Sequence, residues 1–364
     1  PKPSSAASDV YKRQILCCVM HKAVLHDHLD GGLRASTAKE LAIKDNYLPL
    51  INVDDIESFF NRESSESLEE YLEAFVHTTA LMNSFENLER ISFEAAEDMY
   101  NDGITHYESR YAPLYSVNSS LTAEDVIDAI NSGFKQAEEL YGIKSGLILC
   151  GMRNDLNNVK QVSEIAIDYK DKIIGFDIAG PELNFLPSLF SNEFNKLVEN
   201  NVNLTIHAGE GDGVNSIQEA LENGAKRIGH GVRIIEDIDL ETGLFGPTAT
   251  YIHENNIPLE ICITSNIHTN MYSDYKDHPV KNLLELNFPI TINTDNRLMS
   301  NTNISKEITI LENLDIKNPN KLLEESASYS FLNNFWIILT KYIVKIFFVE
   351  KLKVKIWIKF TCHF

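Results

Sequence analysis

The chain has 364 residues, 43% hydrophobic and 23% charged, which suits a soluble globular protein built as one large barrel or two ordinary domains. Its formal charge of −21 is uneven, because residues 1–20 carry +2 and residues 334–364 carry +5, leaving −28 on the middle. A surface that negative repels phosphate backbones, so no nucleic acid is expected as a partner, whereas a small neutral molecule is tolerated.

Residues 1–20 show no clear periodicity and read as a foreign leader, disordered or artefactual, with Met20 just ahead of the first organised segment. The apolar run at 15–20 is too short for a signal-peptide core. No stretch reaches the roughly 18 uninterrupted apolar residues of a spanning helix, so no membrane is expected either. Three of the five cysteines, Cys17, Cys18 and Cys362, lie in the odd ends, and Cys150 and Cys262 sit inside apolar runs. That is no disulfide framework; buried reduced thiols fit the cytoplasm.

The first strand-like run is Ala23–His28. A helical insertion follows at Asp54–Tyr100, clearest at Leu68–Met82 and Phe85–Asn101 and long enough to cover a barrel mouth. Further strand-like runs are Ile104–Tyr111, Ile143–Met152, Ile173–Ala179, Asn203–His207, Arg227–Gly231, Pro258–Thr264 and Pro289–Asn293. Helical patterns at Ala123–Tyr141, Val159–Tyr169, Ser188–Asn200 and Ser216–Asn223 alternate with them. Eight strands with helical connections predict an α/β fold, a (β/α)8 TIM barrel over residues 21–332 with a helical insertion after the first strand. Residues 333–364 change composition abruptly to Lys, Ile, Phe and Val and hold both Trp residues, Trp336 and Trp357. This aberrant basic and apolar tail reads as a shifted reading frame or as a basic amphipathic segment; its poor helical period favours the first.

In such a barrel the chemistry gathers at the C-terminal ends of the strands. His26 and His28, two apart on the first strand, point to one face and can meet at one point. His207 ends the fifth strand and is followed by Gly209 and Glu210; His230 ends the sixth between two glycines; Asp295 follows the eighth. Each is weak alone, since H-x-H is common in loops. Together they form a ring of metal-ligand residue types at one barrel end. His21, His77, His253, His268, His278 and His363 have no evident converging partners, and His106 reads as a hydrogen-bonded structural residue inside a strand.

The motifs LHDHLDGGLR, DIAGPE, TIHAGEGDG, RIGHGVR, CITSNIHT and TINTDN, in that order, make the sequence similar to the adenosine deaminase family of metal-dependent amidohydrolases. The Asp-Asn pair and the NRLMSNT after it look bacterial in style, and the Pro-Cys-x-x-Cys signature of cytidine deaminases is absent. The resemblance implies one Zn2+ per chain, held by His26, His28, His207 and Asp295 and acidifying a water molecule. It implies that His230 holds that water and helps deprotonate it, that Asp295 orients it, and that Glu210 protonates purine N1. It implies substrate contacts from His28, from the Gly180 N–H to N3, from Asp30 to the ribose 5′-hydroxyl and from Asn296, where animal relatives carry Asp, to N7. The implied reaction is hydrolytic deamination of adenosine or 2′-deoxyadenosine, a small-molecule purine nucleoside, within purine salvage. The rivals are an amidohydrolase acting on adenine or a modified purine nucleoside and a catalytically impaired adenosine-binding protein. Oligomeric state is open, and a monomer is compatible.

Overall fold

Short β-prone runs, buried along nearly their whole length, form strands that must be covered on the outside, and helices supply that cover. The computed structural model describes residues 21–63 and 65–332. Eight parallel strands form the barrel: β1 (Ala23–Val24), β2 (His106–Tyr111), β3 (Lys144–Met152), β4 (Gly175–Ala179), β5 (Thr205–Ala208), β6 (Arg227–His230), β7 (Leu259–Ile261) and β8 (Ile290–Ile292). β1 to β4 pair in order, and β8, β7, β6 and β5 pair in a second run. Parallel bridges Phe176–Leu204 and Asp27–Asp295 join the two runs and close the barrel. The expectations for residues 1–20 and 333–364 lie outside the described residues. Among the described residues no helix is long and apolar enough to cross a membrane.

The predicted strands are all present, with shorter ladders at the site end. β1 is brief because a side chain replaces its neighbour's backbone: Asn293 Oδ1 accepts from Leu25 N at 2.8 Å and His26 N at 3.1 Å. The Pro258–Thr264 run is strand only to Ile261, after which Ile263–His268 turns helical. The insertion between β1 and β2 begins earlier than its pattern suggested, with a helix at Ala35–Lys44. The expected helix Leu68–Met82 is two, Leu68–Leu72 and Phe75–Leu81. A small antiparallel ribbon, Ile238–Asp239 with Leu244–Phe245, follows β6 and had no clear pattern.

The barrel interior beneath the site is charged. Arg110 of β2 donates to Asp177 of β4 and, at 2.9 Å, to Glu260 of β7. All three are fully buried, and with Arg227, 2.6 Å from Glu260, they form a network of compensating charges.

Candidate active site

The residues singled out from the sequence converge at the C-terminal ends of the strands. His26 and His28 follow β1, His207 lies in β5, His230 ends β6 and Asp295 follows β8. His28 Nε2 is 3.2 Å from His207 Nε2 and 3.4 Å from Asp295 Oδ1, and His26 Nε2 is 3.3 Å from the same oxygen. Ligand-type atoms of His26, His28, His207 and Asp295 all lie within 4.8 Å of one another. His230 and Asp295 hold left-handed backbone, with φ of 58° and 57°. For residues with side chains that conformation costs about 1–3 kcal/mol each, and it gathers at functional sites.

Two buried carboxylates orient the rings. His26 Nδ1 bonds Glu260 Oε2 at 2.8 Å, and His207 Nδ1 bonds Asp177 Oδ2 at 2.8 Å. A carboxylate only accepts, so both rings carry the proton on Nδ1 and turn the Nε2 lone pair to the centre. His26 Nε2 and Asp295 Oδ1 are buried without a hydrogen-bond partner. Lone pairs facing lone pairs in a dry pocket are stabilised by a cation, so this donor set fits a divalent metal with nitrogen and oxygen ligands. Burial drives the pKa of His28 and His207 down, keeping both rings available as neutral donors.

Glu210 follows β5 on a turn held by Glu182, whose carboxylate accepts from the N–H groups of Gly209, Glu210, Gly211 and Asp212 at 2.6–3.1 Å. Burial, then the nearby charges of Asp295 and Glu182, push the Glu210 carboxyl well above its usual range. Its Oε2 lies 3.7 Å from His230 Nε2.

A cavity of about 550 Å3 opens over the cluster, lined among others by Asp30, Tyr71, Gly180, Glu210, His230 and Asn296. Its lining contains no Lys or Arg among the described residues. Burial lifts the Asp30 carboxyl to about 7 against its own backbone hydrogen bonds. Asp30 Oδ1 and Asn296 Oδ1 are buried without partners. Gly31 lets Asn296 approach, because a Cβ there would stand 2.0 Å from Asn296 Oδ1.

Sequence reading missed the residues that act through others: Arg110, Asp177, Glu182, Glu260 and Asn266. Glu182 stands in a quoted motif, but nothing in the string says that its carboxylate holds the Glu210 turn. His278, expected to lack a converging partner, bonds Asn266 at 3.2 Å, and Asn266 bonds His230. His77 also has a partner, Tyr47 Oη at 2.9 Å, and His21 packs edge-on against His106. His106 bonds Thr105 as expected.

The sequence model of the adenosine deaminase family matches residues 21–333. The chain belongs to the adenosine deaminase family. It is 42% identical over 299 residues to adenosine deaminase 1 of Streptomyces coelicolor, covering 79% of this chain and 75% of that protein. It is 41% identical over 302 residues to the adenosine deaminase of Mycobacterium ulcerans, covering 79% and 83%. Among solved structures it is similar in fold to an adenine deaminase from Arthrobacter aurescens, with a TM-score of 0.79, 21% identity and 89% and 98% of the two chains covered. An amidohydrolase from Burkholderia ambifaria with bound Zn gives a TM-score of 0.75 at 21% identity, with 86% of each chain covered. The resemblance written in the motifs is thus carried by the whole barrel.

Proposed function

We propose that this adenosine deaminase family member is a zinc-dependent hydrolase that converts adenosine and 2′-deoxyadenosine to the corresponding inosines and ammonia. The observation that carries the reading is one cavity holding a divalent-metal donor set beside a buried carboxyl, Glu210, whose environment favours its protonated form. A Zn2+ ion held by His26, His28, His207 and Asp295 would supply Lewis acidity, bringing the pKa of water from 15.7 towards about 7. Glu210 faces purine N1 and hands it a proton, which makes C6 electrophilic. Water, held between His230 and Asp295, gives a proton to the Asp295 carboxylate as it adds at C6; that proton passes to the amino group, which leaves as ammonia, and the C6 hydroxyl proton returns to Glu210 as the carbonyl forms. Gly180 offers its N–H to N3, Asn296 reads N7, and Asp30 accepts from the ribose 5′-hydroxyl.

The carboxyl of Asp30 and a lining without Lys or Arg support a nucleoside over a nucleotide, because nothing there would neutralise a 5′-phosphate. A cytoplasmic setting is supported by the buried free thiols of Cys150 and Cys262.

Ammonia release from adenosine, adenine and AMP tests the substrate: adenosine is expected to dominate, and faster turnover of adenine or AMP would reassign it. Glu210→Gln is expected to keep one zinc per chain and lose about 100-fold or more in deamination. Deamination by that variant at the parent rate would remove Glu210 as the acid.

A further inference from the structure

We infer that Asn266 and His278 are positioning residues that hold His230 in the tautomer with its proton on Nε2, so that His230 meets the reacting water as a hydrogen-bond donor. The inference deepens the proposed reading of the site and rests on it for the identity of what lies beyond Nε2.

The chain of hydrogen bonds starts from a backbone N–H. The backbone N–H of Val280 can only donate, and it points at His278 Nδ1 at 3.1 Å. That nitrogen is therefore an acceptor, and the ring's proton sits on Nε2. A charged His278 would set N–H against N–H, so the contact also disfavours the imidazolium. His278 Nε2 lies 3.2 Å from Asn266 Oδ1 and donates to it. The amide nitrogen of Asn266 must then lie at the other end. There Nδ2 is 3.4 Å from Met271 Sδ, and a thioether sulfur only accepts. Both ends fix the same amide orientation. Nδ2 also lies 3.0 Å from His230 Nδ1. An amide N–H only donates, so His230 Nδ1 accepts and its proton is on Nε2.

His26 and His207 carry the opposite tautomer. Their Nδ1 atoms face the carboxylates of Glu260 and Asp177, which accept, so their Nε2 atoms are bare. One ring type thus takes two tautomers in one pocket, decided by what stands behind it. By distance alone Glu210, His230 and Asp295 form a second group able to hold a cation. A proton on His230 Nε2 removes its lone pair from that set and leaves one metal position, on the His26, His28, His207 and Asp295 side. In the resting enzyme His230 then donates to the water oxygen, and the carboxylate of Asp295 is the acceptor left beside it. This differs from the base role that the family resemblance implies for His230.

The test is long-range 1H–15N spectroscopy of the 15N-histidine protein, with and without zinc, the His230 signal assigned by its loss in His230→Gln. The parent is expected to show His230 protonated on Nε2, and His26 and His207 protonated on Nδ1. Asn266→Asp puts an acceptor behind His230 and is expected to move its proton to Nδ1. The same variant is expected to lower kcat about 100-fold with KM and zinc content within about threefold of the parent. A parent His230 protonated on Nδ1, or a tautomer that Asn266→Asp leaves unmoved, would overturn the inference. Should Asn266→Asp not fold, the parent spectrum decides alone. The tautomer is read without turnover, so a parent that fails to deaminate adenosine would sink the proposed function and leave this result standing.

Discussion

Glu210 and Asp295 are buried carboxyls in one cavity, yet their proton affinities are pushed apart. Burial raises both; around Asp295 it is outweighed by the close imidazoles of His26, His230 and His28, while Glu210 faces the charges of Asp295 and Glu182. In the proposed reading, this is how one pocket keeps the acid Glu210 beside the ligand Asp295. A raised pKa holds Glu210 protonated at low pH and releases it as pH climbs through the raised value. Measured against pH, kcat/KM is therefore expected to fall on the alkaline side, and a rate that climbs there would contradict the acid role. The carboxylates behind the rings have a separate effect. Glu260→Gln weakens the acceptor at His26 Nδ1 and is expected to lower zinc affinity by about 10–100-fold, measured by competition with a chelator.

At the scale of elements, the helical insertion is stitched to the loop after β8, which presents Asp295 and Asn296. Tyr71, on the helix Leu68–Leu72, bonds Ser300 at 2.7 Å through its phenol, and Arg62 N donates to Met299 O at 2.8 Å. Both Tyr71 and Ser300 are buried, and Tyr71 lines the cavity. Tyr71→Phe removes one buried bond, typically about 0.5–1.5 kcal/mol, so KM for adenosine is expected to rise by up to about tenfold. Steady-state kinetics showing an unchanged KM would make this helix a passive wall. Gly31 binds the same region from the other side. Gly31→Ala places a methyl 2.0 Å from Asn296 Oδ1, so it is expected to weaken inosine binding in calorimetry more than it lowers the melting temperature.

Across the whole molecule, stability is linked to protons at buried histidines. Burial pushes His278 to about 3, against about 6.5 when unfolded. A neutral buried ring is stabilising above the unfolded value, and that contribution is lost as pH falls from about 6.5 towards about 3. Urea unfolding of parent and His278→Asn at pH 7 and pH 5 is expected to show the gap between them narrowing at pH 5; a gap that widens would reverse the assignment. The proposed metal would act on the whole barrel too, because His26, His28, His207 and Asp295 come from both runs of strands. Zinc at about 100 times its Kd is expected to add about 2.7 kcal/mol, visible as a melting temperature that a chelator lowers.

The amino-acid sequence by itself determined the eight strand-forming runs, the helices between them, and the gathering of His26, His28, His207, Glu210, His230 and Asp295 at one barrel end, all but His26 lining the cavity. These were legible because strand periodicity and strand ends are local properties, and the barrel then sends every strand's C-terminal end to one place. Tertiary structure alone decided which nitrogen of each imidazole faces the centre. That choice depends on Glu260, Asp177 and Asn266, which reach the rings from two other strands and a short helix across separations of 234, 30 and 36 residues. No local pattern encodes a hydrogen bond between residues so far apart, so proton placement in this site follows from the closed barrel.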